Sequence, residues 1–447
     1  MLTNQRRLKQ RLLIAFEFFI LILIFPSHAS AAPKIEHWVT DNGARVYFIE
    51  THALPVVDIN MVFNAASARE PADKQGLAML TSDMLLEGSA DLDSKAVAEG
   101  FEDRGAEIGT SSLRDMAMVS LRSLSDKEYL EPVLELLAKV IADPKFPEKN
   151  LEREKARSLQ SLDHSLQQPA TVGRRRLYEL LYTGHPYANH PSGTHESIQS
   201  IRRADLTDFY KQFYVASNMV IALVGDLSLT QAKHLANRLS RSLKKGRPAG
   251  ILPDVAAIKG GEHRIEFPST QTHIMTAYLG TKRDDPRYLA LKVGNYSLGG
   301  GGFQSRLMDE IRDKRGLSYG VYSYFQPMQQ TGTFIASLAT KNKNLEEALT
   351  VSNEVIDKFL ITGPTEKELV LAKKNITGGF PLTIDSNKKL VSTLASIGFY
   401  SLPVDYLDTY IERVNALDRK TVTDAMQSVL GSENRVTVIV GAGVKQQ

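Results

Sequence analysis

The chain has 447 residues, 43% hydrophobic and 23% charged, a composition that suits two to four folded domains and excludes a disordered protein. It contains no cysteine, which rules out disulfides, thiolate metal sites, a cysteine nucleophile and a lipid-modified N-terminal cysteine. Of its 54 basic and 51 acidic residues, four basic and one acidic lie in residues 1–31, so the remainder carries 50 of each and offers no electrostatic footprint for nucleic acid.

Residues 1–31 read as an export signal. Arg6, Arg7, Lys9 and Arg11 precede the apolar run Leu12–Phe25, and Pro26 leads to Ala29-Ser30-Ala31, a small-residue cleavage site. As a helix the apolar run would span roughly 21 Å, short of the hydrocarbon core of about 30 Å, and Glu17 interrupts it. Cleavage after Ala31 is therefore expected, leaving no stable membrane anchor and a soluble, periplasmic or otherwise exported protein.

After the leader, residues 45–49 and Val56–Phe63 alternate as antiparallel strands. A helix begins near Gly76, with Leu77, Leu80, Met84 and Leu85 forming its core-facing stripe. A longer helix enters at about Pro147, and Arg174-Arg175-Arg176 reads as a solvated helix face. The segment from His185 to His195 contains His190 as well, but its Pro and Gly residues make it a surface loop, and spacings of five place no histidine pair on one helical face.

Residues 202–225 then align without a gap on residues 418–441, at a constant offset of 216. Arg203 meets Arg419, Thr207-Asp208 meets Thr423-Asp424, Asn218 meets Asn434, and Val224-Gly225 meets Val440-Gly441. Each copy reads as a helix, a turn and a β-rich strand ending in glycine. The fold class expected is α+β: two homologous lobes, each an antiparallel-rich sheet with helices packed on it, in a tandem clam-shell. The predicted divisions are 32–245 for the first lobe, 246–262 for a Gly- and Pro-rich linker, and 263–447 for the second lobe. Clefts between lobes are favoured binding sites.

In the second copy, His273–Leu279 is the strand and Asp285–Leu298 the helix, with a later helix entered at about Pro364. The run Gly299, Gly300, Gly301, Gly302 lacks the Gly-Lys-Ser/Thr of a phosphate loop and leaves two readings, a hinge or a bare backbone that receives extended peptide. In Arg312–Gly320, basic residues before a glycine suit a helix C-terminus, and Tyr319 would ordinarily be core. The sharper reading makes Arg315 and Tyr319 donors converging on a substrate carbonyl, although spacing alone fits capping better.

These features resemble the pitrilysin/insulinase superfamily of zinc peptidases, especially its half-size bacterial branch and the mitochondrial processing peptidase. The resemblance is carried by DNGARVYFIE, QGLAMLTSDMLLEGS, HPYANHPSGTHESI, YVASNMVIALVGD and, most specifically, DPRYLALKVGNYSLGGGGFQSRLMDEIRDKRGLSYGVYS, and it covers essentially the whole chain after the leader. Catalytic members carry His-x-x-Glu-His, in which two histidines hold zinc, the Glu activates water and a distal Glu completes the site. Here Met79 and Asp83 stand at the histidine positions, Ser82 at the glutamate, and Leu159 at the distal ligand.

The resemblance therefore implies a non-catalytic subunit of a heterodimeric zinc endopeptidase. This chain would bind no metal, and zinc would sit on a homologous partner bearing the motif. Arg315, Tyr319 and the lining Gly299–Gly302 would hold peptide. A second reading is a peptidase-like scaffold or peptide-binding protein with no role in proteolysis, like the core subunits of respiratory complexes. A third, an autonomous peptidase with a different metal site, rests only on the loop histidines.

Overall fold

The computed structural model describes residues 33–443; the leader predicted over 1–31 lies outside them. The first lobe is built on a six-stranded sheet. Its strands are β1 (Glu36–Val39), β2 (Arg45–Glu50), β3 (Val56–Phe63), β4 (Glu107–Ser112), β5 (Ala117–Leu124) and β6 (Met219–Gly225), in the order β1-β2-β6-β3-β5-β4. The second lobe has five: β7 (Gly261–Glu266), β8 (Gln271–Leu279), β9 (Val321–Gln326), β10 (Thr333–Lys341) and β11 (Val436–Gly441), in the order β7-β11-β8-β10-β9. Apart from β1 the two orders are the same. The parallel pair β2/β6 recurs as β7/β11, and the antiparallel neighbours β3/β6, with Ile59 opposite Leu223, recur as β8/β11, with Ile274 opposite Ile439.

The offset of 216 seen in the sequence is a structural repeat. Helix Arg203–Phe213, turn Ala216–Asn218 and β6 correspond to helix Arg419–Val429, turn Ser432–Asn434 and β11. Other helices named below are α1 (Leu77–Asp83), α2 (Glu148–Leu166), α3 (Pro169–Leu181), α4 (Leu345–Thr362), α5 (Glu366–Gly379) and α6 (Asn387–Phe399).

The central strands explain how the lobes join. β6 and β11 are buried at every position, so each sheet must be covered on both faces. In β6, Met219, Ile221 and Leu223 face the first lobe's own core. The opposite face is covered by α6, a helix from the second half, which brings Gly398 so close that an added Cβ would lie 2.5 Å from Val220. Reciprocally, α3 of the first half lies on β11 and β8, where Leu177, Tyr178 and Leu181 join Met275, Val436, Val438 and Val440. Each lobe thus lends a helix to the other's sheet. Burying Leu390, Val391, Leu394, Ile397 and Phe399 of α6 contributes about 1.5–3 kcal/mol per side chain.

Polar groups fasten the same seam. Asp115, in the β4–β5 hairpin and only 3% exposed, accepts from the Tyr187 hydroxyl at 2.5 Å, the Gln329 amide at 2.8 Å and the Tyr400 hydroxyl at 3.1 Å. The His185–His195 segment is not the surface loop expected from its Pro and Gly content. Tyr187 is fully buried and His185 nearly so, because the segment plugs the junction. Arg175 departs from the solvated face expected of it, donating to the Gly193 carbonyl at 2.8 Å, while Arg176 pairs with Glu179. The linker is strapped down as well, with Leu252 buried, its carbonyl bonded by Gln330 and that of Pro253 by His185.

Candidate functional site

Two places matter, one in each lobe. In the first, α1 starts at Gly76, whose φ of 91° needs no side chain, and the Glu70 carboxylate accepts the Ala78 amide at 2.7 Å, as a charge at a helix N-terminus should. Burial nevertheless pushes the Glu70 carboxyl up to about 8. Met79 is half-buried against the first lobe's core, and the Ser82 hydroxyl is buried beside that of Tyr214. Asp83 is pushed up to about 6 by burial and by the neighbouring carboxylate of Glu154, with Arg157 opposing.

Glu154 is the residue that sequence reasoning missed. It lies on α2, 6% exposed, held by Arg153 at 3.2 Å and Arg157 at 3.5 Å, and it turns toward Asp83. Leu159, at the position expected for a distal ligand, packs against the apolar core instead. The signal was present in the Glu152-Arg153-Glu154 run, but two candidate carboxylates in three residues do not say which one faces inward.

A thioether, a neutral hydroxyl and a single carboxyl do not make the three or four donors that zinc needs, which are imidazole, thiolate or ionised carboxylate in tetrahedral array. Among the described residues no group of three or more His, Asp or Glu side chains could hold a metal ion. The donor set does not fit the zinc of the resembled peptidases. Nor do the loop histidines converge. His185 bonds the Tyr187 amide and the Pro253 carbonyl, and His195 pairs with Asp163 at 2.6 Å. Burial and the cations of Arg175, Arg114 and Arg174 hold His190 down to about 3.

In the second lobe the glycine run is not a free loop. Residues Tyr296–Gly300 make a π-helical turn, Gly301 donates to the Tyr296 carbonyl at 2.8 Å, and Gly302–Gln304 is a 3-10 turn. Gly299 is buried, and a Cβ there would lie 2.3 Å from Ser323 Oγ and 2.8 Å from Leu307 Cδ1. Gly300 is exposed and lines a cavity of about 250 Å³ with Lys292, Tyr296, Ser323 and Phe325.

Arg315 and Tyr319 lie just beyond a second π-helical turn, Asp309–Asp313. The chain leaves it by a left-handed cap. Gly316 has φ 61°, its amide donates to the Arg312 carbonyl, and that of Leu317 to the Ile311 carbonyl, each at 2.9 Å. The next residues are pinned to β10, where Ser318 Oγ donates to the Ala339 carbonyl at 2.7 Å and Thr340 Oγ1 to the Leu317 carbonyl at 2.6 Å. This rigid base leaves the Tyr319 ring 88% exposed, against the expectation that a tyrosine there would be core. The Arg315 guanidinium turns back onto Glu310, meeting its carboxylate at 2.5 Å and its backbone carbonyl at 2.8 Å. Arg315 also borders a groove of about 670 Å³ formed with α4 and the entry of α5, lined by Glu354, Lys358, Glu368 and Arg419.

No helix among the described residues is long and apolar enough to cross a membrane. Comparison with known proteins matches residues 45–195 to the insulinase (peptidase family M16) model and residues 200–376 to the peptidase M16 inactive domain. A crystal structure of a peptidase M16 inactive domain from Pseudomonas fluorescens is 41% identical, with a TM-score of 0.89 over 92% of this chain and 99% of that one. A Helicobacter pylori protein named non-peptidase homolog YmxG is 25% identical over 418 residues, 92% of this chain and 95% of its own. A Bacillus subtilis protein named uncharacterized zinc protease YmxG is 22% identical over 409 residues, 92% and 99% of the two chains. With both halves matched and a solved relative aligned along nearly its whole length, the chain belongs to the insulinase family of peptidases, M16.

Proposed function

We propose that this chain is an inactive member of its family, the substrate-holding subunit of an exported two-chain zinc endopeptidase. Its partner would be a homologous chain bearing His-x-x-Glu-His, and zinc would be the partner's. The observation that carries this reading is the contrast between the lobes: of Met79, Ser82 and Asp83, α1 offers zinc only one ordinary donor, the Asp83 carboxyl, while Tyr319 projects from a rigid base into solvent with Arg315 four residues before it. Arg315 would grip a peptide, and the Tyr319 hydroxyl would donate to the oxyanion that develops at the scissile carbonyl. The alternative is a peptidase-like scaffold or peptide-binding protein with no role in proteolysis; the Helicobacter pylori relative's name, non-peptidase homolog, is compatible with either.

One experiment separates them. The purified chain should carry no stoichiometric zinc and cleave no peptide alone. Reconstituted with its motif-bearing partner, the Tyr319→Phe and Arg315→Ala variants should each lose about 100-fold or more in kcat/KM, the effect of removing one well-placed donor. Full activity of both variants in a pair that still assembles would leave the scaffold reading standing.

A further inference from the structure

The partner that Arg315 already holds limits what it can bind. Within the turn Asp309–Asp313, the Lys314 amide reaches the Asp309 carbonyl at 2.9 Å, five residues back. The same winding sets residue 315 over residue 310, whereas an ordinary α-helix would turn them onto different faces. Glu310 is fully engaged as a result. One carboxylate oxygen takes Lys314 Nζ at 2.7 Å, and the other takes Arg315 Nη1 at 2.5 Å, with the Glu310 carbonyl a second acceptor on the same Nη1. The charges of Glu347 and Glu354 of α4 also favour the Arg315 cation.

A guanidinium held this way is already supplied with a carboxylate and a carbonyl. A neutral substrate carbonyl brings no net charge to set against the guanidinium, so it cannot replace Glu310 as the counter-ion. An anionic oxygen can. We propose that Glu310 is an internal competitor at Arg315, and that the ligand this residue selects is a peptide carboxylate, from a C-terminus or an acidic side chain. The inference rests on the reading of the chain as a peptide-holding subunit and names the chemistry of that site. The groove beside Arg315 has room for the remainder of the ligand, with Lys358 and Arg419 on its walls as well as Asp309, Glu354 and Glu368.

The test uses the whole chain and three alanine pentapeptides carrying an uncharged BODIPY label at the N-terminus: one with a free C-terminus, one amidated, and one amidated with a single internal glutamate. Fluorescence anisotropy reads their Kd for wild type, Glu310→Gln, Arg315→Gln, the double variant and Asp309→Asn, which removes a neighbouring charge while leaving Glu310 on Arg315. Circular dichroism confirms that each is folded. Glu310→Gln should tighten binding of one or both carboxylate peptides about tenfold and leave the fully neutral peptide unchanged. Whichever carboxylate peptide responds identifies the source. The gain should vanish in the double variant and be absent in Asp309→Asn.

Equal tightening for all three peptides, an equal gain from Asp309→Asn, or no gain at all would overturn the competitor role while leaving peptide binding intact. Failure of wild type and every variant to bind any of the peptides would overturn both the competitor role and the peptide-holding reading.

Discussion

Asp83 carries an energetic cost at neutral pH. Its carboxyl is raised from an ordinary 3.8 to about 6 by burial and by Glu154, so the fold prefers the protonated form. A group raised in the folded state stabilises below its unfolded pKa and loses that contribution as pH rises through the folded one. The term is therefore complete only below the ordinary 3.8, little reduced at pH 4 and gone above pH 7, a loss of at most about 3 kcal/mol at 1.36 kcal/mol per pH unit. Asp83→Asn should stabilise the chain at pH 7.5 and change little at pH 4, as read from urea denaturation at the two values. An unchanged or lower midpoint at pH 7.5 would show that the charged carboxylate is well accommodated. The absence of histidines at 79 and 83 was plain in the sequence. That the charge of Glu154 acts on Asp83, and that Glu310 holds Arg315, was not, because the first depends on how two helices pack and the second on helix winding, neither of which residue spacing reveals.

At the scale of elements, the glycine run was legible as unusual and open as to purpose. Its four members have different reasons to be glycine. Gly299 is excluded from bearing a side chain by Ser323 and Leu307, whereas a Cβ at Gly302 would meet nothing within 4 Å and is constrained only by its φ of 58°. Gly299→Ala should lower stability by about 1–3 kcal/mol through overpacking, and Gly302→Ala by about 1–2 kcal/mol through backbone strain. Thermal melting should rank Gly299→Ala the more damaging, and the opposite order would mean that the turn yields easily. The strands and long helices were readable from periodicity and from proline at the helix entries. The two π-helical turns were not, since no residue pattern distinguishes a five-residue return from a four-residue one.

For the whole molecule, the duplication was visible as an offset of 216 residues, and the matching sheet orders repeat it in three dimensions. Sequence could not show that α3 and α6 change places, because an apolar helical stripe does not say which sheet it covers. The exchange predicts how pieces of the chain behave. Residues 33–250 and 251–447 expressed separately should aggregate, each with one sheet face bare, and co-expressed they should copurify as a soluble pair. A monomeric, cooperatively melting fragment of either kind would contradict this.

The lending of one helix by each half to the other is the arrangement of a closed two-fold dimer of half-length chains. In such a dimer every substitution is made twice, and neither copy can give up a site that the other keeps. A covalent connection removes that constraint. Once both halves are one polypeptide, the symmetry survives in the backbone and is free to fail in the side chains. Met79 and Asp83 stand on one half and Arg315 and Tyr319 on the other, an asymmetry that a homodimer of half-length chains does not permit.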